Sequence, residues 1–258
     1  MVGSVLFYAR AIDYTMLTAV NHVSTLQSNP TQKVMQRAER IFEYAAAHPN
    51  NQLVLRGCDM VLHIQSDASY LSRLNARSVA GGIFYLGNKD QPELTNGAIL
   101  AVSSVIDVVV SAVSEAEYAA AFQMAQTGVW LRQILTSMNY PPPATYMLGD
   151  NKLAVGLANN DVKTKKSKSV DMRFHWLRDR IQQGQFIVTW RPGATNLADF
   201  FTKALDQKDH QDAMKKLVRP KNAQTFSDKR SARSDAYWTA RQSQSNESKF
   251  KALERVRV

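Results

Sequence analysis

The sequence contains little cysteine and no long apolar run, and both absences exclude classes of protein. Cys58 is the single cysteine among 258 residues, which excludes an internal disulfide framework and suits a reducing compartment. No stretch reaches the roughly 18 uninterrupted apolar residues that a membrane span needs. The apolar residues 1–7 are not preceded by the basic region of a secretory signal. We therefore expect no membrane partner and a location in the cytoplasm or nucleus.

The positive charge is distributed unevenly along the chain. The formal net charge is +10, and seven of these net charges fall after residue 202. From residue 218 onward Ser, Gln, Lys and Arg dominate and apolar residues are few, so we expect residues 218–258 to form a basic, disordered tail. Such a tail suits polyanion binding through counterion release, although solvated basic ends are also common.

The first 56 residues have a helical pattern. Apolar residues recur at helical spacing over residues 5–23, and Asn29 and Pro30 then break the pattern. Thr31 is a suitable N-cap for a second helix that extends to about residue 45. We therefore expect residues 1–56 to form a segment of two helices without catalytic character.

Residues 57–217 alternate between strand and helix patterns. Strands are predicted at 59–66, 78–86, 98–103, 145–148 and 186–190, and helices at 114–137, 153–158, 170–183 and 196–204. The resulting order, β-β-β-α-β-α-α-β-α, predicts an α/β domain with a mixed five-stranded sheet. Three antiparallel strands come first, and helical crossovers lead to the other two.

Four carboxylates occupy positions where a metal site could form. Asp67 and Asp150 end the first and fourth predicted strands, whereas Glu117 and Asp199 lie on helices packed beside them. Ligand sites of open α/β sheets gather at the carboxyl ends of strands. Clustered carboxylates repel one another, and hard divalent cations such as Mg²⁺ prefer oxygen ligands. Two such ions about 4 Å apart activate a water and stabilise the leaving oxygen of a phosphodiester.

Two alternatives remain open for the glutamate of this set. Glu115 and Glu117 point about 200° apart on a helix, so only one of them can face the site. In addition, Ser114 and Glu117 have the spacing of a capping box, in which Glu117 would only satisfy a backbone amide. The spacing alone does not decide between these roles.

Several short motifs carry a resemblance to a known family. They are SDAS (66–69), SEAEY (114–118), GDN (149–151), KSVDMRFH (168–175) and NLADFFTK (196–203). In this order they resemble the ribonuclease H region of Ty1/copia-type retrotransposon polyproteins. Residues 2–8, 19–21 and 29–31 are similar to the thumb or connection region that follows the polymerase palm in the same polyproteins. The resemblance covers roughly residues 1–217.

The resemblance implies a ribonuclease H-like fold and an endonuclease that cleaves the RNA strand of RNA–DNA hybrids with two Mg²⁺ or Mn²⁺ ions. It assigns four metal ligands, choosing Glu117 over Glu115: Asp67, Glu117, Asp150 and Asp199. It implies a thumb or connection-like segment at residues 1–56, a ribonuclease H domain at residues 57–217, and the polymerase of the same polyprotein as a partner. It also suggests a virus-like particle in the cytoplasm as one location.

The sequence contains no Tyr-x-Asp-Asp polymerase motif, so we expect no polymerase activity from it. The alternative to an active nuclease is a catalytically inactive, nucleic-acid-binding remnant of a retroelement.

Seven polar side chains are candidates for contact with the hybrid. They are Lys163, Lys165, Lys166, Lys168, Asn151, Arg191 and Asn196. The lysines form a basic loop suited to phosphates, which supply affinity without sequence information. The two asparagines are placed to hydrogen-bond ribose or phosphate, and discrimination for RNA requires some contact to the 2′-hydroxyl.

Overall fold

The computed structural model describes residues 2–89, 96–160 and 171–220. The predicted basic loop with its four lysines lies outside these ranges, as do residues 221–258 of the predicted tail. Within them, no helix has the length and apolar character needed to cross a membrane.

The elements follow one another in a simple order. The N-terminal part contains α1 (Val2–Ala11), a 3₁₀ turn (Tyr14–Met16), α2 (Leu17–Ser24), α3 (Gln32–Ala47) and β1 (Asn51–Gln52). The middle part contains β2 (Val61–Arg73), β3 (Arg77–Gly87), β4 (Ala98–Val105), α4 (Val113–Ser137) and β5 (Thr145–Gly149). The last part contains α5 (Lys152–Ala158), α6 (Asp171–Gln182), β6 (Phe186–Trp190), a 3₁₀ segment (Leu197–Phe201), α7 (Gln207–Leu217) and β7 (Arg219–Pro220).

The central sheet has five strands in the order β4-β3-β2-β5-β6. The pairs β2–β3 and β3–β4 are antiparallel, whereas β2–β5 and β5–β6 are parallel. Helices α4 and α6 lie between the strands that pair in parallel, because parallel neighbours need a crossover connection. The predicted α/β fold, a mixed five-stranded sheet flanked by helices, is confirmed.

The end of the central strand β2 was predicted wrongly. We expected it to end at Asp67, but it continues to Arg73. Its antiparallel partner β3 pairs with it beyond Asp67, as far as Ser69 and again at Arg73. Its parallel partner β5 pairs with it only at residues 63–65. Asp67 therefore lies inside a strand, just past the point where the parallel pairing ends.

The first predicted helix, over residues 5–23, is interrupted at Asp13. The Asp13 side chain is fully buried and accepts hydrogen bonds from the Thr15 amide at 3.0 Å and from Asn51 Nδ2 at 2.8 Å. These bonds hold a turn between α1 and α2, so the single helix expected here is wrong. The predicted N-cap of the next helix is confirmed, because Thr31 accepts a hydrogen bond from the Val34 amide.

The last predicted helix, over residues 196–204, is also wrong in type. Residues 197–201 form a short 3₁₀ segment, and an α-helix that was not predicted, α7, follows it. Asp206 is the N-cap of α7 and accepts a hydrogen bond from the Asp209 amide at 2.9 Å. Helix α7 is rich in charged residues, which explains why apolar periodicity did not reveal it.

Two apolar clusters hold the molecule together. One lies between the sheet and helices α4, α5 and α6. The other joins the N-terminal helices to Ile83 and Ala101 of the sheet, to Phe200 and Phe201 of the 3₁₀ segment, and to Leu217. The N-terminal helices therefore pack directly against the part of the molecule that carries the candidate site.

Candidate metal centre

Three of the four predicted carboxylates converge in the structure. One oxygen each of Asp67, Glu117 and Asp150 lies within 4.8 Å of the other two. Asp67 is buried with 3% of its surface exposed, and the other two are partly buried. They come from a central strand, the second turn of a helix and the residue after a parallel strand. We call these three residues the acidic trio.

The backbone fixes the position of Asp150. Residue Gly149 ends β5, paired with Trp190 of β6, and the Trp190 indole donates a hydrogen bond to the Asp150 carbonyl at 2.7 Å. A Cβ on Gly193 would lie 2.9 Å from Asp150 Oδ2. The absence of a side chain at residue 193 therefore leaves room for the Asp150 carboxylate.

The structure resolves the choice between the two glutamates of α4. The helix begins at Val113 with Ala112 as N-cap, so Ser114 lies inside it and caps nothing. The capping-box role considered for Glu117 is therefore wrong. Glu115 instead accepts hydrogen bonds from the Ser111 amide at 2.8 Å and from its hydroxyl at 2.7 Å. Glu117 lies beside Asp67 and Asp150 and accepts a hydrogen bond from the Ala68 amide.

The electrostatics of the acidic trio favour the uptake of protons or of a cation. Burial, followed by the charges of Asp67 and Asp150, raises the pKa of Glu117 to about 9. Burial raises the pKa of Asp67 to about 7, aided by Asp199 and Asp150 and opposed by a hydrogen bond from Thr202. Burial also raises the pKa of Asp150. Carboxylate oxygens are the ligands that Mg²⁺ and Mn²⁺ prefer, so these residues fit such ions.

The fourth predicted ligand, Asp199, lies outside the trio. Its carboxylate forms an ion pair with Lys203 Nζ at 2.5 Å, one turn further along the chain. Its charge nevertheless contributes to the raised pKa values of all three carboxylates of the trio. Asp199 is thus an electrostatic neighbour of the trio whose charge is partly balanced by a lysine.

The 3₁₀ segment that carries Asp199 is bonded to β2 by side chains that sequence analysis missed. Gln65 Oε1 accepts a hydrogen bond from the Leu197 amide at 2.8 Å, and the Thr202 hydroxyl donates one to Asp67 Oδ2 at 2.5 Å. Gly81 pairs with Asp67 across the sheet, and a Cβ there would lie 2.6 Å from Thr202 Cγ2. A glutamine inside the predicted strand, two residues before Asp67, was the available signal for Gln65.

The candidate hybrid contacts differ in their structural environment. Asn196 is engaged inside the protein, because its Nδ2 donates to the Ser66 carbonyl at 2.9 Å and its Oδ1 accepts from the Ala198 amide at 3.1 Å. Asn151 uses its Oδ1 to cap α5, at 3.0 Å from the Ala154 amide. Arg191 is partly buried beside the end of β5, where its amide donates to the Gly149 carbonyl. The four lysines lie outside the described residues.

Comparison with known proteins identifies relatives of this chain. No protein-family model matches the sequence. The chain is 28% identical over 211 residues to the retrovirus-related Pol polyprotein from transposon RE1 of Arabidopsis thaliana, which covers 77% of this chain and 13% of that protein. It is 24% identical over 204 residues to the Pol polyprotein from transposon TNT 1-94 of Nicotiana tabacum, which covers 79% and 15%. The chain is similar to transposon Pol polyproteins.

This similarity confirms the resemblance to retrotransposon polyproteins that the motifs indicate. The chain spans 13–15% of the length of these two relatives. Among solved structures, the RNase H1 of the archaeon Halobacterium salinarum matches 55% of this chain and 93% of its own, at 18% identity and a TM-score of 0.37.

Proposed function

We propose that residues 57–217 form a ribonuclease H domain that cleaves the RNA strand of RNA–DNA hybrids, as part of a retrotransposon polyprotein. The acidic trio carries this proposal, because three carboxylates within 4.8 Å of one another would form an oxygen-only cation site. Residues 1–56 are then the connection-like segment, and the polymerase of the same polyprotein is the partner. A virus-like particle in the cytoplasm, or the nucleus, is the corresponding location.

The residues of the trio would hold two Mg²⁺ or Mn²⁺ ions, with Asp199 as the fourth ligand. When bound, such ions supply an activated water and stabilise the leaving oxygen of the phosphodiester. The protein holds the carboxylates in place beforehand: the Ala68 amide orients Glu117, and the Thr202 hydroxyl orients Asp67. In this arrangement Lys203 partly neutralises Asp199.

Contacts with the hybrid are assigned in the same proposal. Lys163, Lys165, Lys166 and Lys168 would bind phosphates of the DNA strand, with Arg191 as a further phosphate ligand. Asn151 keeps its Nδ2 group for ribose or phosphate while its Oδ1 caps α5. Asn196 would act mainly by positioning the 3₁₀ segment, since both ends of its amide are bonded within the protein.

Cleavage of a labelled RNA–DNA hybrid in the presence of Mg²⁺ tests the proposal. We expect the wild-type protein to cut the RNA strand, and we expect Asp67→Asn and Asp150→Asn to lose this activity. Asp212→Asn, an exposed residue of α7 paired with Lys215, is the matched control and should cut like the wild type. If the wild type cuts no faster than the two site variants, the chain is not a nuclease.

The ion pair between Asp199 and Lys203 favours one alternative, a catalytically inactive remnant that binds nucleic acid. If Lys203 stayed permanently paired with Asp199, the fourth carboxylate would not be available to the site. Hybrid binding without cleavage by the wild type, and cleavage restored by Lys203→Gln, would support this alternative.

A further inference from the structure

A second cluster of like charges lies next to the acidic trio. A cavity of about 560 Å³ opens between the N-terminal helices and the 3₁₀ segment. Its cationic lining residues are Arg37 and Arg40 of α3, Arg73 at the end of β2, and Lys203; His22 and His210 also line it. None of the described residues that line it is Asp or Glu. We call it the arginine cavity.

Two arginines compete for the single acceptor nitrogen of the His22 ring. Arg37 Nη1 lies 3.0 Å from His22 Nε2, and Arg73 Nη1 contacts the other ring nitrogen, Nδ1. A guanidinium only donates hydrogen bonds, whereas a neutral imidazole has one acceptor nitrogen and one N–H. The ring can therefore accept from only one of the two arginines. Burial and the two cations also lower the pKa of His22, which keeps a third positive charge out of the cluster.

Arg73 has unused hydrogen-bonding capacity inside this cluster. Its Nη2 atom is buried and has no partner among the described residues. A buried donor without a partner is costly, and a charged one more so. An anion between the arginines would accept from the exposed side chains of Arg37 and Arg40 and relieve the repulsion between neighbouring guanidiniums. Guanidinium groups match phosphate oxygens in a bidentate arrangement.

Two residues link the arginine cavity to the acidic trio. Thr202 lines the cavity while its hydroxyl donates to Asp67, and Lys203 lines it while paired with Asp199. Apolar side chains, including Ile41 and Phe200, form another part of the wall. A ligand here would therefore meet cations, which suit a phosphate, beside a surface against which the rest of a nucleotide could pack.

We propose that the arginine cavity binds a phosphate ester, and that its source is a backbone phosphate of the nucleic acid held at the acidic trio. This inference rests on the proposed nuclease function, because the trio identifies the strand to which the phosphate belongs. It assigns a substrate-binding role to the N-terminal helices, since Arg37 and Arg40 lie on α3. The same chemistry would also admit a free phosphorylated small molecule.

Hybrid binding by charge-matched variants tests the cavity. Arg37→Gln/Arg40→Gln removes two exposed cations from it, whereas Arg10→Gln/Lys33→Gln removes two exposed cations from α1 and α3 that do not line it. Affinity for a labelled RNA–DNA hybrid is measured by fluorescence anisotropy in metal-free buffer at several salt concentrations. Thermal melting followed by circular dichroism checks that both double variants are folded.

We expect the cavity variant to lose about tenfold or more in affinity, and the salt dependence of log K to weaken by about 0.9 per lost phosphate contact. The control should change by about twofold or less. Equal losses in the two double variants would mean general electrostatic attraction and would overturn the proposal.

Competition with inorganic phosphate distinguishes the two sources. Phosphate that displaces the hybrid from the wild type, but not from Arg37→Gln/Arg40→Gln, supports a backbone phosphate in the cavity. Phosphate that binds the wild type while hybrid affinity is the same in the cavity variant would assign the cavity to a free phosphorylated molecule, which overturns the nucleic-acid part.

Cleavage assays separate this inference from the proposed function. If the wild type cleaves the hybrid and the cavity variant keeps the same hybrid affinity and KM, the cavity proposal is wrong and the nuclease function stands. Absence of cleavage together with a selective loss of hybrid affinity in the cavity variant would remove the nuclease function and leave the phosphate site in place.

Discussion

The acidic trio and the arginine cavity are two clusters of like charge that the 3₁₀ segment joins. They differ in how far their charged side chains can move apart. The carboxylates of the trio are carried on short side chains by a strand, a helix and a strand end. The guanidiniums of Arg37 and Arg40 are on long, exposed side chains of one helix. The trio must therefore respond by taking up protons or a cation, whereas these arginines can turn toward solvent.

The largest effect on activity is expected when one carboxylate of the trio is replaced. Glu117→Gln should lower the hybrid cleavage rate by at least about 100-fold, the upper end of what losing an outer-shell partner of a metal site costs. Glu115→Gln is the matched control on the same helix, and its rate should stay within about twofold, because Glu115 only bonds Ser111. Steady-state cleavage with Mg²⁺ measures both. Equal losses in the two variants would contradict the geometry of the trio.

The next effect concerns the close contact that joins the 3₁₀ segment to the sheet. A Cβ on Gly81 would meet Thr202 Cγ2 at 2.6 Å and the Ala198 carbonyl oxygen at 2.7 Å. We expect Gly81→Ala to lower the free energy of unfolding by about 1–3 kcal/mol, as overpacking of a close contact does. Denaturant unfolding measures it. Gly3→Ala, where nothing lies within 4 Å of the new Cβ, should not destabilise the protein, and a matching loss there would refute the packing argument.

Sequence periodicity predicted the elements whose faces differ in burial. Helix α4, strand β5 and the position of Asp150 after it follow from local pattern alone, and all three have these positions in the structure. The order of the strands then defined a mixed sheet. These features were predictable because each depends on residues close together in the chain.

The features that local pattern did not predict depend on distant residues. The pattern around Asp199 predicts a helix, but the first amide of the 3₁₀ segment bonds Gln65, 132 positions away. The polar residues after Asp67 resemble a loop, yet β3 pairs with them as a strand. Local pattern also left the capping role of Glu117 open, and excluding it needed the start of α4, which lies at Val113 with Ala112 as the N-cap.

A smaller effect should appear in the pH dependence of cation binding. With pKa values of about 7 for Asp67 and about 9 for Glu117, the trio holds protons near neutral pH that a divalent ion must displace. Mg²⁺ affinity should therefore rise with pH between about 6 and 9, by up to about tenfold per pH unit for each proton released. Calorimetry in two buffers of different ionisation enthalpy counts the protons. Affinity that is flat across this range would contradict the raised pKa values.

In the last prediction, a substitution in the site raises the melting temperature, whereas most substitutions lower it. The pKa of Glu117 in the folded protein, about 9, lies above the ordinary value of 4.5. The folded state therefore binds the extra proton more tightly, and this contribution to stability is complete below pH 4.5 and is lost as pH rises toward 9. Glutamine carries no charge at any pH. Without metal, Glu117→Gln should thus melt above the wild type at pH 8 and match it near pH 4.

Added Mg²⁺ should invert that order at pH 8, because an ion that binds only the folded state stabilises it in proportion to the logarithm of its concentration. The wild type would then gain melting temperature as Mg²⁺ is added, whereas Glu117→Gln, with a damaged site, would gain little. Glu115→Gln should follow the wild type under every condition, since its carboxylate faces Ser111 rather than the trio. A Glu117→Gln variant that melts below the wild type in metal-free buffer at pH 8 would mean that the trio is not under electrostatic strain. The contrast with the arginine cavity would then disappear.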